Sequence, residues 1–275
     1  MARSPVSGTA ALASGARRAA WVVGVGGMIG GVLGMTAPWA VRQAPRRPRG
    51  DVHAEYVKVP SGRDTIMAYL AFPERHDRAP GVLVIHEVFG LSDFIRQTTR
   101  QLAEDGFVAI APDLLSRRGG TPGSADSARA LIAGLDPDTV TRDLDATVAY
   151  LRRLPAAVPE RVGVIGFCWG GGESFRYATN NPSLRAFVVC YGPGPQVLAI
   201  ARIRAQGLGV YAERDARIDA SLPAVDQAVR SYGTRYQYTV YPGVGHAFLR
   251  TREQPAVADS AWRTVLRFLR ATLGR

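Results

Sequence analysis

Cysteine is scarce, with two thiols, Cys168 and Cys190, in 275 residues. They cannot staple a disulfide scaffold, and with four histidines scattered at 53, 76, 86 and 246 they match no familiar zinc spacing. Both lie in or beside apolar runs that read as neighbouring buried strands, which argues against a bridge between them. Lysine is scarcer still, because Lys58 is the one lysine among 34 basic residues. Arginine is therefore a compositional bias of the chain rather than a selected binding face. No helix carries a basic stripe with interleaved aromatics, so no nucleic-acid partner is expected. Acid is absent from residues 1–50, which hold seven arginines and leave only +4 of the formal +11 charge for the rest of the chain. With 47% hydrophobic and 21% charged residues the chain is not disordered, collagen-like or a miniprotein, and one sizeable domain is the expectation.

Long uncharged runs are also rare, and the one present is informative. Ala19 to Val41 spans 23 residues without a charge, enough for a helix to cross a bilayer. Gly26, Gly30 and Gly34 weaken its hydrophobicity but suit close helix packing. Arg17-Arg18 ahead of Ala20, Trp21 and Val22 resembles a twin-arginine export signal. Residues 1–52 are thus expected to be a signal or membrane-anchor segment, with a Pro/Arg-rich linker over 42–52. The protein would then be exported to the periplasm or anchored, with membrane contact through residues 19–41. A cytoplasmic protein with a disordered leader is the alternative. The Gly24 to Gly34 cluster is not a dinucleotide fingerprint, since Ile29 stands where the third glycine belongs.

One domain is expected over residues 53–275, and from residue 55 onward strands alternate with helices. Glu55–Val59 and Thr65–Phe72 predict an antiparallel pair around Pro60-Ser61-Gly62. Gly81–His86 is an apolar run of the kind buried on both faces, and Ser92 can cap a helix that stops at Gly106. Further strands are predicted at 107–111, 162–167, 186–190, 208–212 and 236–241. Helices are predicted near 124–134, 138–154, 170–180, 221–232 and 256–272. Val140, Leu144, Val148, Leu151 and Leu154 mark the apolar face of the second of these. Such alternation implies an α/β fold with a mainly parallel sheet and helices on both faces.

The chemistry concentrates at four places. Gly166-Phe167-Cys168-Trp169-Gly170 follows an apolar strand and opens a helix, which fits a nucleophile elbow with cysteine in the serine position. The flanking glycines allow a strained turn in which strand and helix backbones approach closely. That turn lifts the sulfur to a helix N-terminus, where the dipole suits an anion. A small buried cysteine at a glycine-rich bend is the plainer account. A base must follow in the chain, and His246, after the last strand, is the one histidine beyond Cys168. The orienting acid should follow the preceding strand; Asp215 is best placed, with Glu213 and Asp219 as competitors.

These residues and their order resemble the dienelactone hydrolase family, cysteine-dependent members of the α/β-hydrolase fold. The resemblance covers about residues 55–275. It rests on His86-Glu87-Val88-Phe89-Gly90, Ala111-Pro112-Asp113-Leu114, the elbow with Gly171, and Gly245-His246-Ala247-Phe248. It implies a Cys168, His246, Asp215 triad hydrolysing an ester or lactone through an acyl-thioester, with no metal or organic cofactor. It implies that Glu87 is a buried carboxylate that interacts with the resting thiol and helps release the thiolate, although a salt bridge to an arginine would also explain a carboxylate there. It places an oxyanion hole at the backbone amides of Val88 and Trp169. It also implies that Arg117 and Arg250 grip a substrate carboxylate as a pair, against which stands the abundance of arginine. The substrate would be a small ester or lactone, one bearing a carboxylate where that arginine pair grips it, while the oligomeric state stays open. A non-catalytic binding protein on a hydrolase scaffold is the alternative. Thiol redox chemistry is disfavoured because there is no C-x-x-C.

Overall fold

The computed structural model describes residues 51–274. The signal or anchor helix expected over residues 19–41, and most of the linker, lie outside the described residues. Among the described residues no helix is long and apolar enough to cross a membrane. The fold begins with strand β1 (Val52–Ser61), which forms an antiparallel hairpin with β2 (Asp64–Pro73). Pairing runs on through Pro60 and Ser61, and the chain reverses at Gly62-Arg63 rather than at Pro60-Ser61-Gly62. Pro60 is tolerated because β1 is an edge strand, where a missing N–H breaks no ladder. Gly62 supplies the positive φ that a two-residue hairpin turn demands.

Strands β3 (Ala79–Ile85), β4 (Val108–Pro112), β5 (Ala157–Phe167), β6 (Ala186–Cys190), β7 (Gln206–Arg214) and β8 (Tyr236–Gly245) complete a sheet of order β1-β2-β4-β3-β5-β6-β7-β8. From β4 to β8 all neighbours are parallel. The chain leaves β3 toward β4 on one side and returns to β5 on the other, which puts a topological switch point at β3 and β5. Ligand crevices form beyond the carboxyl ends of strands at such a point.

Helices cover both faces because the buried strands are apolar on both. Leu83 and Ile85 of β3 face one core, which also receives Leu144, Val148 and Leu151 of α3 (Pro137–Arg153), Phe175 and Tyr177 of α4 (Trp169–Asn180), and Val225 and Val229 of α6 (Leu222–Tyr232). Val82 and Val84 face the other, against Ile95 and Leu102 of α1 (Asp93–Glu104) and Val265 and Leu269 of α8 (Pro255–Leu273). The period-two alternation of strand side chains decides which residue enters which core. Helix α3 starts where Asp136 accepts a hydrogen bond from Thr139 N at 2.8 Å and Pro137 takes the first turn. Ser92 does occupy the N-cap of α1, but its hydroxyl accepts no bond from that helix.

The remaining helices are α2 (Ala125–Ala133) and two single turns not expected from the sequence, α5 (Ala216–Asp219) and α7 (Phe248–Thr251). They are too short for a periodic signal, and both lie directly after strand ends that carry the site. Strand β5 starts earlier than its apolar run suggests, at Ala157, and its register against β3 shifts between Pro80 and Gly81.

Candidate active site

The elbow is built by close backbone approach. A Cβ on Gly166 would lie 1.8 Å from Gly170 O, one on Gly170 would lie 2.3 Å from His86 O, and one on Gly171 would lie 2.6 Å from Cys190 O. Only hydrogen fits at these three positions. Between them Cys168 has φ 55° and ψ −118°, a conformation outside the regions open to L residues. Its amide donates to Cys190 O at 3.0 Å, which ties the turn to β6. The half-buried Sγ is held up at the N-cap of α4, while Cys190 stays fully buried below; both thiols are free.

The sulfur meets His246, whose Nε2 lies 3.1 Å from Sγ. On the other side of the ring, Nδ1 is 2.5 Å from Oδ2 of the buried Asp215. The hydrogen bond to the sulfur, together with Asp215, outweighs burial and raises the His246 pKa to about 9. The competitors for the acid do something else. Glu213 accepts from Gly243 N at 2.8 Å, and Asp219 bonds to neither ring nitrogen. Tyr191, which no local sequence signal singles out, stands edge-to-face on the His246 ring at 5.3 Å. It too has positive φ, as does Ala247 beside the histidine.

Glu87 follows β3 and is buried, and desolvation raises its pKa to about 7 against the opposing charges of Arg250 and His246. Its Oε1 lies 3.2 Å from Arg250 Nε, an ion pair without hydrogen-bond alignment. No hydrogen bond joins Glu87 to Cys168; the structure pairs the carboxylate with the arginine and the sulfur with His246. The amides of Val88 and Trp169 donate to no backbone acceptor in the turns and loops of the described residues.

The loop that presents Val88 is clamped from behind. Asp113 accepts from Thr121 N at 2.8 Å and from Thr121 Oγ1 at 2.9 Å, and Thr121 Oγ1 accepts from Leu91 N at 2.8 Å. Gly90, with φ +69°, lets that threonine approach. His86 Nε2 accepts from Leu114 N at 3.2 Å, which leaves Nδ1 to donate to Glu87 O at 2.9 Å. Burial lowers its pKa, so the ring stays neutral and stacks on Trp169 at 5.6 Å.

Arg117 corrects an expectation. It lies in a single helical turn, Ser116–Arg118, and its guanidinium is spent inside the fold. Nη2 donates to Asp143 Oδ1 at 2.8 Å and to Ser61 O at 3.0 Å, Nε donates to Asp143 Oδ2 at 3.2 Å, and Nη1 pairs with Asp64. A buried carboxylate on the apolar side of α3 requires such a partner. Arg250 is at the site, but the two arginines share no partner and do not form a pair. Its guanidinium carbon lies 4.9 Å from the centre of the Phe89 ring, as does that of Arg129.

A mainly parallel sheet with a cysteine at a strand-to-helix elbow and a histidine and an aspartate beyond later strand ends is the architecture of an α/β-hydrolase. The chain belongs to the dienelactone hydrolase family, whose model matches residues 66–273. It is an ester-hydrolysing enzyme of that family. A Salmonella typhi protein named as a carboxymethylenebutenolidase is 34% identical over 251 residues, 84% of this chain and 93% of the relative. One of the same name from Saccharolobus solfataricus is 33% identical, covering 74% and 93%. A dienelactone hydrolase crystal structure from Klebsiella pneumoniae superposes with a TM-score of 0.74 at 29% identity, covering 80% of this chain and 99% of that one.

Proposed function

We propose that the enzyme hydrolyses a small carboxylic ester or lactone with Cys168 as nucleophile. The thiol proton passes to His246 Nε2, the thiolate so formed beside the imidazolium attacks the carbonyl carbon, and the Val88 and Trp169 amides receive the charge on the carbonyl oxygen. The C–O bond to the leaving group breaks, His246 returns the proton to that oxygen, and an acyl-thioester remains. Water, deprotonated by His246, then attacks the thioester and releases the acid and the thiol. Asp215 orients the imidazole and stabilises its cation.

Glu87 is assigned a positioning role. Its carboxylate pairs with the Arg250 guanidinium, and its charge acts on the imidazole, which favours the cation that His246 becomes. The observation that carries the reading is the hydrogen-bonded series from Cys168 Sγ through His246 to Asp215 at an elbow where only glycines fit.

Cys168→Ala should abolish turnover of nitrophenyl acetate, and mass spectrometry of the wild type at low pH should reveal an acylated Cys168. Cys190→Ala should retain activity. Turnover surviving Cys168→Ala, or ligand binding by the wild type with no turnover of any ester, would defeat the proposal.

A further inference from the structure

We propose that the outer edge of β8 is a docking surface for a second copy of this chain, which pairs with it antiparallel about a two-fold axis and joins two sheets into one. Among the described residues β8 pairs with β7 alone, so its far side ends the sheet. The opposite edge is guarded, since β1 carries exposed Glu55 and Lys58 and Pro60, which has no N–H. Strand β8 has no charge from Tyr236 to Gly245 and no proline before Pro242. Its Val240 is 39% exposed, and Tyr232, in the last turn of α6 just before the strand, is 43% exposed. Helix α8 does not seal the start of the strand, where a cavity of about 480 Å³ is lined by Arg235, Gln237, Arg267 and Phe268.

Backbone direction selects the register. Gly207 N donates to Arg235 O at 2.8 Å, so Arg235, Gln237 and Thr239 turn their polar groups toward β7, while strand alternation turns those of Tyr236, Tyr238 and Val240 outward. Tyr236 N is already given to Thr234 O at 3.0 Å. A two-fold axis through Tyr238 uses both remaining donors: Tyr238 exchanges bonds with its own copy, and Val240 N donates to the Tyr236 carbonyl of the second copy in each direction. Tyr238 then faces itself and Val240 faces Tyr236, the aromatic and β-branched pairs that stabilise sheets. Charge agrees with this direction. Arg235 opens the strand, and at its far end Glu213 accepts from Gly243 N at 2.8 Å; neither is in an ion pair among the described residues. Antiparallel pairing brings the Arg235 of each copy toward the Glu213 of the other, whereas a parallel one would set like charge against like. Such exposed pairs add little affinity but fix orientation, and this self-complementarity favours a second copy over an unrelated partner.

Sedimentation velocity of the full chain from about 1 to 100 μM should find a dimer with a Kd in or below that range. Val240→Lys, which sets a charge in the pairing edge without touching the bonds to β7, should raise that Kd roughly a hundredfold. Arg235→Glu should raise it roughly fivefold. Tyr56→Lys, on the guarded β1 edge, should leave it within about twofold. A monomer across the whole range, a dimer that survives Val240→Lys, as association through residues 19–41 would, or an equal loss in Tyr56→Lys overturns the proposal.

Residue-resolved hydrogen exchange of the unaltered chain needs no variant. The amides of Tyr238 and Val240 should exchange at least roughly tenfold more slowly in concentrated than in dilute solution, while those of Gln237 and Thr239, which face β7, should not respond to concentration. Equal protection of Tyr238 and Val240 at both concentrations would mean that the edge is covered from within the chain. Fast exchange at both would mean that nothing covers it. Either result overturns the proposal and leaves the hydrolase reading as it stands.

Discussion

Arg117→Met offers a direct test of the claim that this arginine serves the fold. It leaves Asp143, only 2% exposed, with the Ser61 hydroxyl at 2.6 Å as its remaining partner among those described. Removing one member of a buried ion pair costs about 3–5 kcal/mol when the other is left uncompensated. Two features lower that figure here: the arginine side chain is 22% exposed, so water can follow it, and Ser61 still donates. A loss of about 3 kcal/mol is expected, or roughly 6–12 °C in Tm for a domain of this size. Differential scanning calorimetry should find that loss, and ester turnover below the transition should be kept. Adding Asp143→Leu should recover most of it, because replacing both partners by apolar groups removes the stranded charge. A Tm within about 1 °C of wild type, or a raised KM in place of the thermal loss, would refute the reasoning.

Other expectations follow from the same contacts. Glu87 has its pKa raised from 4.5 to about 7, so its contribution is complete below pH 4.5 and is lost as pH rises through 7. Urea midpoints should therefore show wild type losing about 3 kcal/mol relative to Glu87→Gln between those values, and parallel profiles would contradict the assignment. Gly170→Ala would set a Cβ 2.3 Å from the His86 carbonyl, so soluble yield and activity should both collapse while Gly123→Ala, with open space around it, keeps activity. Deleting residues 1–50 should leave an active domain, with membrane fractionation of the full chain testing anchoring separately.

Much of the site was legible because its signals are local. Gly166 and Gly170 flank Cys168 within five residues, and strand-then-loop order was enough to favour Asp215 and His246. What decided Asp215 over Glu213 lay beyond local reading, since strand direction at the end of β7 points one acid at the imidazole and the other at Gly243 N. Arg117 was misread for a similar reason. Its position after Pro112-Asp113-Leu114 is a loop address, whereas its partner stands 26 residues later on α3. A clue was present: Asp143 lies three residues after Val140 and four before Thr147, on the apolar stripe, and a carboxylate there asks for a cation. Arg129 offered no such clue, because only the packing of α2 brings it to a phenylalanine forty residues earlier.

The turn at Cys168 carries a consequence for how such an enzyme can evolve. A residue held at φ 55° and ψ −118° stores about 1–3 kcal/mol that glycine would not. Tyr191 and Ala247, the other positive-φ neighbours of the histidine, add to that burden. Stability selection acting alone would drive position 168 toward glycine and erase the thiol. With Cys168 as the proposed nucleophile, demand for turnover is what opposes that drift, and a descendant released from it should lose its cysteine before it loses its fold.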